Sequence, residues 1–143
     1  MSGYVVDASV AIKWFIPEIH FEAAVRAKSL RQQLHVPAFL TLELGNVVAK
    51  KIRRDELTRA DGETVLKELR NLPLQRHADE RLFPAAYTLA LDTRQSLYDC
   101  LYLALAETIN GRLITADRKF YNALFGGSYG RRLIWVEDLP RLT

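Results

Sequence analysis

The sequence holds a single cysteine, Cys100, so no internal disulfide can form. A chain without a disulfide framework suits a reducing compartment, and a cytoplasmic location is expected. No uninterrupted apolar run approaches the ~18 residues that a membrane-spanning helix requires. Met1-Ser2-Gly3 leads straight into Tyr4-Val5-Val6-Asp7 without a basic segment followed by an apolar one, so neither an anchor nor a leader is expected. Glycine and proline are sparse, at 7 and 5 of 143 residues, and internal repeats, low-complexity tracts and Pro/Gly/Ser linkers are lacking. The one soft stretch is Gly126-Gly127-Ser128-Tyr129-Gly130. Residues 1–143 are therefore expected to form one domain. Charge of one sign is also weak: 20 basic against 17 acidic residues permits a polyanionic partner without requiring one.

What is present is an ordinary globular balance, 49% hydrophobic and 26% charged, in a chain long enough to bury roughly two-thirds of its unfolded surface. Short runs rich in β-formers predict strands at Tyr4–Val6, His35–Val36, Leu74–Gln75, Leu113–Thr115 and Leu133–Val136. Apolar residues at i, i+3, i+4 spacing predict helices over Phe21–Gln33, Leu40–Arg53, Thr58–Asn71, Leu82–Leu91 and Leu97–Ile109, with another opening at Asp117. Strands alternating with crossover-length helices imply right-handed βαβ units. The expected fold is three-layer α/β/α with a mostly parallel, about five-stranded sheet. All parallel strands end on one edge, so residues just beyond them converge in one crevice.

Four acids fall at such positions. Asp7 directly follows the first strand; alone, it reads equally well as a helix cap or turn residue, as does Ser9 two residues on. Asp117 repeats the arrangement after Leu113-Ile114-Thr115, with Thr115 beside it. Asp99 lies in Ser96-Leu97-Tyr98-Asp99, which fits a capping box and opens a helix so apolar that the carboxylate is held at the sheet edge. Glu43 interrupts the apolar Phe39-Leu40-Thr41-Leu42 with Asn46 three residues later on the same face, unless it is a buried acid paired with an arginine. Two carboxylates about 4 Å apart repel by ~4 kcal/mol at an effective dielectric of 20. Four in one cleft need a counter-cation or raised pKa values. Oxygen ligands without neighbouring His or Cys favour Mg²⁺ or Mn²⁺ over Zn²⁺.

The same residues carry a family resemblance. Val5-Val6-Asp7-Ala8-Ser9, Glu43-Leu44-Gly45-Asn46, the stretch from Ser96 to Ala106 and Leu113-Ile114-Thr115-Ala116-Asp117-Arg118-Lys119-Phe120 resemble, in order, the successive signatures of the PIN domain in its VapC-type form. Cys100 stands where the family often has alanine. The resemblance implies a metal-dependent ribonuclease, usually the toxin of a toxin–antitoxin pair. Asp7, Glu43, Asp99 and Asp117 would be its acidic set, with Ser9, Asn46 and Thr115 as polar support. One or two Mg²⁺ or Mn²⁺ ions would be held by Asp7, Asp99 and Asp117, with Glu43 either a further ligand or the group that orients the attacking water. The resemblance also implies an RNA substrate, a homodimer and a cognate VapB-like antitoxin. Apolar positions on the helices from 40 to 53 and 58 to 71 are candidates for the dimer face.

With the four acids set aside the remainder is distinctly basic. Lys50-Lys51-Ile52-Arg53-Arg54 is its densest run, and Arg118, Lys119, Arg131 and Arg132 are expected to flank the site edge. His20, His35 and His77 show no ligand spacing. Trp14, Phe15, Trp135, Tyr98 and Tyr102 fit core packing better than base stacking, and the glycine-rich loop lacks the Lys-Ser/Thr of a P-loop. Two other classes compete. One is a catalytically silent PIN-like module that binds RNA or a protein. The other is an aspartate-based phosphatase or receiver, whose Asp-x-Asp or paired acids Asp7-Ala8-Ser9 lacks.

Overall fold

A computed structural model of the chain describes residues 3–30 and 33–139. Five strands run β1 (Tyr4–Val6), β2 (Leu34–Pro37), β3 (Gln75–His77), β4 (Arg112–Thr115) and β5 (Leu133–Trp135). They form one sheet in the order β3-β2-β1-β4-β5, every pairing parallel. Seven α-helices are described among these residues: α1 (Ala8–Ala11), α2 (Phe21–Lys28), α3 (Phe39–Arg53), α4 (Arg59–Asn71), α5 (Asp79–Thr93), α6 (Leu97–Thr108) and α7 (Arg118–Phe125). The α/β class is as expected.

The chain moves one way from β1 through β2 to β3, then crosses back over β1 to β4 and on to β5. With right-handed crossovers, the reversal carries α1 to α4 over one face and α5 to α7 over the other. Contacts among α1, α2 and α3, between α3 and α4, and between α5 and α6 agree with that division. The reversal lies between β1 and β4, paired in register as Val6 with Ile114. In open α/β sheets the crevice at such a switch point, outside the carboxyl ends of the strands, is where ligands bind.

The core forms because both faces of the sheet are apolar. Val5, Val6, Leu113 and Ile114 are fully buried, and α6 lies across β1, β2 and β4 with every residue from Cys100 to Ala106 buried. That burial bears out the reading of α6 and of Cys100 as a core residue. Trp14 is also interior, its indole Nε1 donating to Ala24 O at 2.7 Å.

Boundaries differ where local pattern misleads. The predicted helix from Phe21 to Gln33 stops at Lys28, where Ser29 Oγ donates back to Arg26 O; its residues 31 and 32 lie outside the described part. β3 begins one residue late, at Gln75, because an edge strand tolerates the exposed Gln75 and Arg76 that ended the apolar signal. α5 starts at Asp79 rather than Leu82, its acidic first turn suiting the helix dipole but hidden from an apolar count. Asp79, in the first turn of α5, caps a different helix: the N-cap of α3, Ala38, makes no side-chain cap bond, and Phe39 N donates to Asp79 Oδ1 at 3.0 Å.

Candidate active site

Asp7 leaves β1 and caps α1, accepting from Val10 N at 3.3 Å. Ser9 Oγ donates to its Oδ1 and Thr115 Oγ1 to its Oδ2, each at 2.5 Å. These hydroxyls are themselves held: Ser9 Oγ accepts from Ala116 N at 2.9 Å, and Thr115 Oγ1 from Asp117 N at 3.1 Å. The ends of β1 and β4 are thus joined across the switch point through one carboxylate. Asp117 then caps α7 by accepting from Phe120 N at 3.1 Å. Ser96 caps α6, accepting from Asp99 N at 3.0 Å. The capping uses foreseen for Asp7, Ser96 and Asp117 are all real, and they coexist with a second property of the acids.

That property is mutual coupling. Burial pushes the Asp7 carboxyl from 3.8 up to about 7, despite the lowering effect of the Ser9 and Thr115 hydroxyls, and the charge of Glu43 raises it further. Glu43 is raised first by burial, then by the charges of Asp99 and Asp117. Asp99 is raised by burial and by Asp117. Four acids from β1, α3, α6 and the end of β4 therefore share one electrostatic site. Among the described residues no lysine or arginine pairs with Asp7, Glu43 or Asp99, and the three ion pairs lie elsewhere.

Sequence reasoning missed the partner of Glu43. The alternative of a buried acid paired with arginine fails here, because Tyr102 Oη donates to Glu43 Oε1 at 2.6 Å. Tyr102 is 1% exposed, and burial together with the nearby carboxylate drives its hydroxyl pKa upward, so it stays a donor. A signal existed: a buried tyrosine hydroxyl requires a partner, and Tyr102 lies three residues past Asp99 on α6. Asn46 is exposed and does not supply this bond. Tyr102→Phe is expected to raise the Glu43 carboxyl still further and to lower stability by about 1–3 kcal/mol, as for a lost hydrogen bond to a charged group. Carbon-13 NMR titration of Glu43 checks this; an unchanged titration midpoint would remove Tyr102 from the site.

Other expectations need correction. Arg132 does not flank the site edge: its Nη1 donates to Gly111 O at 3.0 Å, at the amino end of β4. Arg131 also precedes β5, and in a parallel sheet both stand at the opposite edge. Arg118 does follow β4, its guanidinium 3.7 Å above the Trp135 ring. Tyr98 is 57% exposed rather than in the core, stacked on Phe39 with ring centroids 4.9 Å apart. The histidines stay apart from the acids: His20 Nδ1 meets Glu137 Oε2, and His35 hydrogen-bonds His77 at 2.8 Å across β2 and β3.

Among the described residues no three His, Cys, Asp or Glu side chains stand in a group that could hold a metal ion as they are placed. The donor chemistry nevertheless fits a hard divalent cation. It is all oxygen, acidic and partly buried, and burial with the neighbouring acids raises the Asp7, Glu43 and Asp99 carboxyls.

A parallel five-stranded sheet with acids converging at its switch point defines an α/β protein with an acidic site at the carboxyl edge of its strands. The PIN domain model matches residues 4–125, and this chain belongs to that family. Ribonuclease VapC3 of Pyrobaculum aerophilum is 37% identical over 117 residues, spanning 80% of this chain and 89% of that one. Ribonuclease VapC3 of Mycobacterium tuberculosis is 34% identical over 119 residues, spanning 83% and 85%. In fold the chain is similar to the crystal structure of PAE2754 from Pyrobaculum aerophilum, with TM-score 0.67 and 23% identity over 87% of this chain and 81% of that one. It is also similar to a chain from a toxin–antitoxin complex of Klebsiella pneumoniae, with TM-score 0.63 and 16% identity over 96% of this chain and 100% of that one. Among the described residues no helix is long and apolar enough to cross a membrane.

Proposed function

We propose that this chain is a divalent-metal-dependent endoribonuclease, the toxin of a toxin–antitoxin pair. The observation that carries the reading is the coupled set Asp7, Glu43, Asp99 and Asp117, three of them with raised pKa values and none in an ion pair among the described residues. The ribonuclease names of relatives 34–37% identical support it. Asp7, Asp99 and Asp117 are the residues that would hold Mg²⁺ or Mn²⁺, with Glu43 as a further ligand or as the group beside the attacking water. Once bound, such a cation polarises a phosphodiester and lowers the pKa of a water molecule.

The chain's own residues prepare that chemistry. Ser9 and Thr115 clamp the Asp7 carboxylate in one orientation, and two backbone N–H groups clamp the hydroxyls, so no side-chain search precedes ligand binding. Tyr102 holds one oxygen of Glu43 and leaves the other for a water. Burial and the neighbouring acids raise the Glu43 carboxyl, which makes it a better proton acceptor than an ordinary carboxylate. Asn46, one turn further along α3, would give polar support at the cleft mouth.

Residues 1–143 as one domain, a cytoplasmic location, a cognate antitoxin and a homodimer belong to the same reading. For the dimer face, the exposed stripe Phe83, Tyr87 and Leu91 on α5 is a better candidate than α3 and α4, where Leu42 is the large apolar side chain exposed among the described residues. The test is cleavage of a mixed cellular RNA pool with Mg²⁺, with Mn²⁺ and with EDTA, beside Asp99→Asn. Discrete products that require both metal and Asp99 are expected. Binding of RNA without cleavage in either metal would favour the silent module instead.

A further inference from the structure

Ser9, whose hydroxyl serves Asp7, also lines a separate cavity of about 340 Å³. Its walls carry four cations, Lys13, Lys50, Lys51 and Arg54, against two carboxylates, Glu18 and Glu56. Lys51 is paired with Glu56 at 3.7 Å, and no ion pair among the described residues involves Lys13, Lys50 or Arg54. The C-terminal dipole of α3 accounts for basic residues at 50, 51 and 54. It does not account for Lys13, which comes from the 3₁₀ turn Ile12–Trp14 that continues α1.

Lys13 is 7% exposed, an unusual place for an ammonium without a carboxylate partner. The buried side-chain nitrogens lacking any partner among the described residues are Arg26 Nε and Arg132 Nε, so Lys13 Nζ keeps contact with solvent. Its stem is packed and its head reaches the cavity. A lysine that served only solubility would lie outside; this one is held in place with its charge unanswered.

We propose that this cavity is a phosphate-binding subsite, which holds a backbone phosphate of RNA next to the one addressed at the acidic cleft. The proposal rests on the ribonuclease reading. Four acids repel a polyanion, and a cationic socket that shares Ser9 with the acidic site offsets that repulsion and sets the strand's register. Asp7, Ser9 and Lys13 lie on a single rigid segment, so the separation of the two sites is constant. Ammonium and guanidinium donors arriving from two directions suit the several acceptor oxygens of a phosphate better than a single carboxylate.

The test measures binding of a single-stranded RNA oligonucleotide in EDTA, across a range of salt, to the wild type, Lys13→Met and Arg54→Ala. Lys13→Met keeps the packed stem; Arg54 is exposed at the end of α3, so its replacement reports even if the buried variant misfolds. Each variant is expected to bind roughly 5- to 20-fold more weakly, with the salt slope reduced by about 0.7 per lost phosphate contact. In Mg²⁺, KM rises while kcat changes little. Wild-type affinity and slope in both variants, with metal-dependent cleavage intact, overturn the subsite and leave the nuclease standing. A wild type that neither binds nor cleaves RNA overturns both. Loss of an acidic protein partner with RNA affinity unchanged also overturns the subsite.

Discussion

Asp7→Asn is expected to slow RNA cleavage by roughly 100- to 1,000-fold, since several kcal/mol of transition-state charge stabilisation depend on ligands of this kind and each 1.36 kcal/mol is tenfold in rate. The same substitution is expected to stabilise the metal-free protein at pH 8 by roughly 1–3 kcal/mol. The sign follows from Asp7 itself. Its carboxyl titrates at about 7 in the folded chain against 3.8 for the ordinary group, so the folded state binds the extra proton between those values. Stability in the metal-free protein is full below about pH 4 as far as Asp7 is concerned, and is lost as pH rises through 7. Asparagine never ionises and escapes that loss, while it still offers Val10 N an acceptor oxygen. Thermal melts in EDTA at pH 5 and pH 8, with a cleavage assay on the same samples, read both effects. A variant that is active, or less stable than wild type at pH 8, contradicts the assignment of Asp7 as a ligand destabilised by its own site.

The second large effect is a pH-dependent gain in stability from metal. Where Mg²⁺ or Mn²⁺ is present at about 100 times its dissociation constant, stabilisation is about 2.7 kcal/mol, or roughly 5–10 °C in Tm for a chain of this size. Protons and cation compete for the same carboxylates. Asp7 titrates at about 7, and the Glu43 and Asp99 carboxyls are raised as well, so the gain is expected to be smaller at pH 5 than at pH 8. Calorimetry in two buffers of different ionisation enthalpy should show proton release on metal binding near pH 7. Equal stabilisation at both pH values would mean that the cation binds elsewhere.

Much of the architecture was legible locally. Tyr4–Val6 and Leu113–Thr115 are short, apolar and followed within two residues by an acid, so their place in the chain and the exit of Asp7 and Asp117 follow from nearest neighbours, although β4 itself begins one residue earlier, at Arg112. The apolar run of α6, with Ser96 as its cap, is equally a local property. In each case the period of the side chains and the capping chemistry are decided within one turn or one strand, and no distant residue has to be known.

Other features depended on what the folded chain brings together. The hydrogen bond from Thr115 to Asp7 spans 108 residues, and that from Tyr102 to Glu43 spans 59. Neither follows from spacing: the order β3-β2-β1-β4-β5 sets β1 beside β4, and the Tyr102–Glu43 bond joins α6 to α3, helices that the reversal assigns to opposite faces of the sheet. The cap of α3 comes from Asp79, and Lys13 shares a cavity with Val47, Lys50, Lys51 and Arg54, more than 30 residues away in sequence. Arg131 and Arg132 illustrate the reverse: their charge suited the cleft, but strand direction puts them at the other edge. Sequence by itself determined which residues could carry chemistry and at which strand ends they stand. Only the tertiary structure decided which of them share a field, since raised pKa values require burial and neighbouring charge, and both are products of packing.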